Sequence, residues 1–157
     1  MQVCILIRVV PATKSDIPKI FEIEQEAFSP PWTEESLLDE LQRDDSCFVV
    51  AVDDTGEPSP CVLGFAIFRQ VGDDGELLQI AVDKSARQSG VGDLLMATVL
   101  DYAAKESFSS VFLEVRSSNT AAVNLYKKHG FTTVRIRKNY YDSPVEDALI
   151  MTRVINL

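Results

Sequence analysis

The order of its predicted elements places this 157-residue chain in the mixed α/β class. Runs rich in β-branched and aromatic residues recur about seven times, and about four stretches carry apolar residues at helical spacing. Their order is β, α, α, three antiparallel β, α, β, α, β, β. We therefore expect one mixed, mostly antiparallel sheet of about seven strands, flanked by about four helices and formed by a single domain over residues 1–157.

The first strand is predicted over Val3 to Val10, and Ser15 or Asp16 can cap the helix that follows it. A second, short helix is predicted after Trp32, with Thr33 as its N-cap. Both helices carry their apolar residues on one face, so both are expected to pack on the sheet.

The middle of the chain predicts three strands and one long helix. The β-rich runs Cys47 to Val52 and Cys61 to Gln70 should form an antiparallel hairpin, and Glu76 to Val82 is the next strand. From Gly90 to Lys105 apolar positions recur at i, i+3, i+4 and i+7, which is typical of an amphipathic helix.

The last third predicts a strand, a helix and two further strands. Val111 to Val115 alternates as a strand, and Asn119 can cap a helix that runs to His129, with Gly130 beyond its end. The closing strands are Phe131 to Tyr140 and Glu146 to Val154.

The net charge of −9 is unevenly distributed: residues 1–60 contribute −9, residues 61–100 contribute −2 and residues 101–157 contribute +2. An acidic chain is a poor binder of nucleic-acid phosphates, so direct nucleic-acid binding is not expected. The charge favours a cationic partner near the N-terminal half, or simply keeps the protein in solution. Its 46% hydrophobic and 25% charged residues exclude a disordered or fibrous chain.

Neither a membrane segment nor a secreted framework is expected. The longest apolar run, Val3 to Val10, is interrupted by Arg8 and is too short to span a bilayer. Cys4, Cys47 and Cys61 are an odd number, far apart, and lack the spacing of a zinc site. We interpret them as reduced thiols of a cytoplasmic protein without a metal.

A glycine-containing loop, Arg87-Gln88-Ser89-Gly90-Val91-Gly92, joins a predicted strand to the long helix. Such a loop can point several backbone amides at an anion at the positive end of a helix dipole. It fits neither the P-loop nor the dinucleotide pattern, whose third small residue would fall at Leu95. Taken alone, the loop could also be a simple turn.

The pattern RxxGxG in this position resembles the pyrophosphate loop of the GNAT superfamily of acetyl-CoA-dependent N-acetyltransferases. Further matches follow in chain order: Leu113-Glu114-Val115-Arg116, Ser118-Asn119-Thr120-Ala121-Ala122, Leu125-Tyr126 and Gly130-Phe131.

The closing segment resembles the RimI-type ribosomal-protein-alanine N-acetyltransferases. The matching residues are Arg137 to Tyr141 followed by Glu146 to Met151, and Pro31-Trp32-Thr33 also fits. The resemblance implies transfer of acetyl from acetyl-CoA to the N-terminal α-amino group of a protein, such as a ribosomal protein that begins with alanine.

The resemblance also implies a cofactor site. The pyrophosphate would be held by the Arg87 side chain and the backbone amides of Gln88 to Gly92. The pantetheine would pair with the main chain of Ile80, Ala81 and Val82. Asn119 would be a further cofactor contact. Five basic residues of the last third either face the cofactor or are solvated: Lys127, Lys128, Arg135, Arg137 and Lys138.

Two catalytic residues are implied. Glu114 would be the general base, or it could form an ion pair with Arg116 on the same strand face. Tyr126 would protonate the departing thiolate, although helical spacing alone favours a core aromatic residue. His129 is interpreted as a helix-end residue or spectator rather than a nucleophile.

Trp32, Tyr140 and Tyr141 would grip the substrate peptide, or would cover the core. Two other functions remain open from the sequence. One is a GNAT enzyme that acts on a small amine such as a polyamine or aminoglycoside, and the other is a non-catalytic module that binds acyl-CoA.

Overall fold

The computed structural model describes residues 6–55 and 60–155 and contains the predicted sheet. Its seven strands are β1 (Ile7–Pro11), β2 (Ser46–Asp53), β3 (Cys61–Val71), β4 (Asp74–Val82), β5 (Ser110–Arg116), β6 (Thr132–Tyr141) and β7 (Glu146–Val154). They are ordered β1-β2-β3-β4-β5-β7-β6. Among the strands of residues 6–55 and 60–155, only the β4–β5 pair is parallel, and the other neighbours are antiparallel. The predicted fold class is confirmed.

In the described part of the chain, four α-helices cover both faces of this sheet: α1 (Ile17–Ala27), α2 (Glu34–Leu41), α3 (Val91–Lys105) and α4 (Thr120–Lys128). Helices α1 and α2 bury Ile20 and Leu37 against one face. Helices α3 and α4 bury Leu95 and Val123 against the other. Within the two described ranges, no helix has both the length and the apolar character needed to cross a membrane.

Two of the three predicted helix caps make a side-chain hydrogen bond. The Thr33 hydroxyl accepts from the Ser36 N–H at 3.1 Å, and the Asn119 side chain accepts from the Ala122 N–H at 3.2 Å. Asp16 occupies the predicted N-cap position of α1, but its side chain makes no cap hydrogen bond. Its carboxylate instead accepts from the Thr13 N–H at 2.8 Å, because a 3-10 turn precedes α1.

Parts of three sequence predictions fall outside the described residues. These are the start of the Val3 to Val10 strand, the thiol of Cys4, and residues 56–59 of the turn between β2 and β3. The first strand of the structure begins at Ile7. Cys47 and Cys61 are free thiols, and burial raises the pKa of Cys47.

The parallel strands β4 and β5 separate soon after they meet, and this divergence leaves an opening in the sheet. Within these two fully described strands, only Gly75 and Glu76 are paired with residues of β5. A bulge in β4 places Leu78 opposite no β3 residue, because Leu77 pairs with Phe68 and the next pair is Gln79 with Ile67. The last residues of β4 therefore line an opening rather than a continuous sheet.

Candidate active site

Two adjoining clefts occupy the opening between β4 and β5. The larger cleft, about 720 Å³, lies between β4, the start of α3 and α4. The smaller cleft, about 280 Å³, lies between β4, β5, α4 and the loop that joins α1 to α2. Phe28, Ile80 and Asn119 line both, so the two clefts meet at the middle of β4.

The start of α3 forms a wall of the larger cleft, as predicted for the glycine-containing loop. Gln88 and Gly90 have positive φ values of 61° and 87°, and Gly90 is the N-cap of α3. This backbone turns the unpaired N–H groups of the first helical turn outward. The cleft is lined by four residues of the loop and helix start, Arg87, Gln88, Gly90 and Gly92, and by Ile80, Ala81 and Val82 of β4.

Cations near this wall are already paired with carboxylates. The Arg87 guanidinium lies 3.1 Å from Glu26 Oε1. Lys128 lines the larger cleft, and its Nζ lies 3.0 Å from the Asp93 carboxylate. His129 ends α4 and places Nε2 2.9 Å from Asp93. Hydrogen bonds from His129 and Lys128 lower the pKa of Asp93.

The remaining predicted cations do not line either cleft. Lys138 pairs with Asp147 at 3.5 Å. Lys127 and Arg135 are exposed on α4 and β6. His129 is also absent from both linings, which agrees with its interpretation as a helix-end residue.

Glu114 lies on β5 and faces the smaller cleft. Its Oε1 lies 3.2 Å from Arg137, so the alternative of an ion pair with Arg116 is wrong. Arg116 instead pairs with Glu146 at 3.4 Å. A hydrogen bond with Glu114, and then the Glu114 charge, raise the pKa of Tyr140. The same charge adds to the rise that burial causes in the pKa of Glu76.

Tyr126 is both a core aromatic residue and a lining residue of the smaller cleft. Its ring centroid lies 5.9 Å from that of Phe131. Burial raises the pKa of its hydroxyl well above the usual range, so this group keeps its proton at neutral pH. Glu114 and Tyr126, predicted as base and acid, therefore lie at one cleft.

The Tyr126→Phe variant should lose turnover and keep its fold. Phenylalanine retains the buried ring but removes the only proton that this side chain can donate. The resemblance implies that Tyr126 protonates a leaving thiolate, and a thiolate leaves readily. We therefore expect kcat to fall by about 10²-fold, the lower end of the range for general acid catalysis. Steady-state kinetics test this, and an unchanged kcat would show that the hydroxyl is dispensable.

The three predicted substrate aromatics divide between the cleft and its rim. Trp32 and Tyr141 line the smaller cleft, whereas Tyr140 does not and is 45% exposed. The Tyr140 and Tyr141 rings meet edge to face with centroids 5.1 Å apart. The Arg116 guanidinium lies 4.4 Å from the Tyr141 ring centroid.

Arg116 connects the two loops that border the smaller cleft, a role that the sequence did not reveal. Its Nη2 donates to the carbonyls of Ser29 at 3.2 Å and Asp142 at 3.1 Å. Its Nη1 donates to the carbonyl of Pro144 at 3.1 Å. Ser29 lies between α1 and α2 and the other two lie between β6 and β7, so one guanidinium holds both loops.

The Arg116→Lys variant should weaken binding of the peptide substrate that the resemblance implies. A lysine ammonium keeps the charge but cannot reach three carbonyls as a planar fork does. We expect the peptide KM to rise by about tenfold, the value of one or two lost charged hydrogen bonds, with unchanged acetyl-CoA affinity.

Arg153→Lys is the matched control, because Arg153 also donates to a carbonyl, that of His129 at 2.9 Å, but lies away from the two loops. An equal rise in peptide KM for both variants would contradict the assignment of Arg116.

Comparison with known proteins defines the class of enzyme. A model of the acetyltransferase (GNAT) family matches residues 17–131. The chain belongs to this family, and it is an acetyl-CoA-dependent N-acetyltransferase.

The similarity extends to particular relatives over most of the chain. The chain is 33% identical over 145 residues to the ribosomal protein bS18-alanine N-acetyltransferase of Escherichia coli K12. This alignment covers 91% of this chain and 94% of that protein. A Bacillus subtilis relative is 34% identical over 141 residues, 90% of this chain and 91% of its own length. The crystal structure of the Escherichia coli ribosomal-protein-S18-alanine N-acetyltransferase superposes with a TM-score of 0.84 at 31% identity, covering 97% and 96% of the chains.

Proposed function

We propose that this enzyme acetylates the N-terminal α-amino group of a protein, and that its substrate is a ribosomal protein that begins with alanine. The observation that carries this proposal is the meeting of the two clefts: Glu114 and Tyr126 face the smaller one, and the α3 N-terminus lines the larger one. Relatives named for the same reaction on ribosomal protein bS18 support the choice of substrate.

Acetyl-CoA fits the larger cleft. The pyrophosphate would lie at the backbone amides of Gln88 to Gly92, where a helix dipole favours negative charge without adding a net charge to an acidic protein. The Arg87 guanidinium would exchange Glu26 for a phosphate oxygen. The pantetheine would run along Ile80, Ala81 and Val82, toward Asn119 at the junction of the clefts.

The chemical step needs one proton acceptor and one proton donor. An α-amino group has a pKa of about 7.7 to 8.0, so a fraction is neutral near pH 7. Its nitrogen attacks the acetyl carbonyl carbon, the C–S bond breaks, and the proton from nitrogen passes to Glu114, directly or through water. Tyr126 gives its proton to the leaving thiolate.

The smaller cleft suits a peptide N-terminus. The rings of Trp32 and Tyr141 line it, and Tyr140 extends the aromatic surface at its rim. The exposed carboxylates of α1 and α2 favour a polypeptide with basic residues. We place the reaction in the cytoplasm and within one domain over residues 1–157, with no direct contact to nucleic acid or membrane.

Incubation with acetyl-CoA and an alanine-starting peptide tests this function. Intact mass should show one added acetyl group, whereas the same peptide with a blocked amino terminus should stay unmodified. Acetylation of both peptides alike would overturn the proposal. Acetylation of polyamines or aminoglycosides in preference to the free peptide would also overturn it, in favour of a small-amine enzyme.

A further inference from the structure

A buried carboxylate on α1 has no part in the chemistry above. Glu24 is 0% exposed. Its Oε1 accepts from the Trp32 backbone N–H at 2.7 Å and from Gln79 Nε2 at 2.8 Å. Burial raises the pKa of this carboxyl, and the two hydrogen bonds oppose the rise. One side chain therefore holds both the loop that carries Trp32 and the side chain of Gln79.

Two acceptor atoms of this cluster have no partner among the described residues: Glu24 Oε2 and Gln79 Oε1. Gln79 is 6% exposed, follows the bulge at Leu78 and lines the smaller cleft. A buried carbonyl oxygen without a hydrogen bond is unfavourable. A donor that reaches this oxygen would remove that cost.

Glu24 determines which end of the Gln79 amide is available. Glu24 Oε1 already accepts from the Trp32 N–H, so this atom is an acceptor and Gln79 presents its NH₂ group to it. The carbonyl end is then left for another donor. An acceptor in this position pairs with an N–H and rejects a second carbonyl.

We infer that Gln79 Oε1 accepts a hydrogen bond from a backbone N–H group at the N-terminus of the substrate peptide. Glu24 is the positioning residue that keeps the Gln79 amide in this orientation. The donor is either the α-amine or the first peptide N–H. An alanine side chain has no donor, so recognition must use the backbone. This inference rests on the proposed function and adds a substrate contact on the α1 side of the sheet.

The Glu24→Gln variant tests the orientation directly. The new amide still accepts from the Trp32 N–H, but its NH₂ group can donate to Gln79 Oε1 and so occupy the acceptor. Gln79→Met removes the acceptor while it keeps the length of the side chain. For both variants we expect the peptide KM to rise about 3- to 10-fold, the value of one hydrogen bond, with kcat and acetyl-CoA Kd within about twofold of the unmodified enzyme.

Glu22→Gln is the matched control, because Glu22 lies on the same helix with its side chain 71% exposed. It should leave the peptide KM unchanged. An unchanged KM in Glu24→Gln and Gln79→Met would overturn the inference. So would a loss of kcat or acetyl-CoA affinity as large as the rise in KM, since a purely structural role predicts that pattern.

A peptide whose first amide is replaced by an ester identifies the donor. If Gln79 binds the first peptide N–H, the ester raises KM in the unmodified enzyme and has little further effect in Gln79→Met. If it binds the α-amine, the ester has the same effect in both. Failure of the proposed function is distinguishable, because the unmodified enzyme would then not acetylate the alanine-starting peptide at all.

Discussion

The Glu114→Gln variant should lose turnover by about 10²- to 10⁴-fold and retain its affinity for acetyl-CoA. Glutamine preserves the size of the side chain but cannot accept the proton that the attacking amine releases. Glu114 faces the smaller cleft, away from the α3 loop. The expected signature in steady-state kinetics and binding titration is therefore a fall in kcat with an unchanged Kd.

Two controls separate a base from an ion-pair partner. Arg137→Gln removes the cation 3.2 Å from Glu114, and we expect it to cost less than about tenfold, because partly exposed ion pairs contribute little. Glu106→Gln, at the far end of α3, should have no effect. If Arg137→Gln matched the loss in Glu114→Gln, the ion pair and not the base would explain the defect.

The Gly90→Asp variant should weaken acetyl-CoA binding by on the order of 100-fold. A side chain at a φ of 87° is strained, by about 1–2 kcal/mol. The new carboxylate would also lie at the helix N-terminus where a pyrophosphate must bind. At about 4 Å, like charges near a protein surface repel by up to about 4 kcal/mol, and this term exceeds the strain. Titration calorimetry with CoA measures the loss.

Gly72→Asp is the matched control for Gly90→Asp. Gly72 has a φ of 61° and open space around its Cα, and it lies in the turn before β4, at the end of that strand away from α3. It should lower the thermal stability without changing CoA affinity. Gly90→Ala carries the strain without the charge and should weaken binding by less than about tenfold. Equal CoA affinity in Gly90→Asp and Gly72→Asp would contradict the assignment of the α3 loop.

Local features of the site were predictable from sequence because their causes are local. The apolar spacing from Gly90 to Lys105 predicts α3, and the backbone freedom of Gly90 predicts the turn at its start. Asn119 caps α4 through a hydrogen bond that spans three residues. Such contacts form between residues that are close in sequence, so the types of those residues are enough to predict them.

Contacts between distant elements were not predictable. Arg116 reaches the Ser29 carbonyl across 87 residues, and Gln79 reaches Glu24 across 55. Both depend on how the sheet brings α1 beside β4 and β5. The separation of β4 from β5 also depends on the pairing register between these strands. The sequence of one strand alone does not determine this register. The alternative of an ion pair between Glu114 and Arg116 was wrong for this reason, since carbonyls of two distant loops accept hydrogen bonds from the guanidinium.

A crystal structure with CoA covalently joined to an alanine-starting peptide tests the central claim most directly. We expect the pyrophosphate on the amides of Gln88 to Gly92, and the junction of sulfur, acetyl carbon and peptide nitrogen between Glu114 and Tyr126. The peptide should leave past Trp32 and Tyr141. A conjugate whose phosphates lie away from the start of α3, or whose junction lies outside the smaller cleft, would contradict this account.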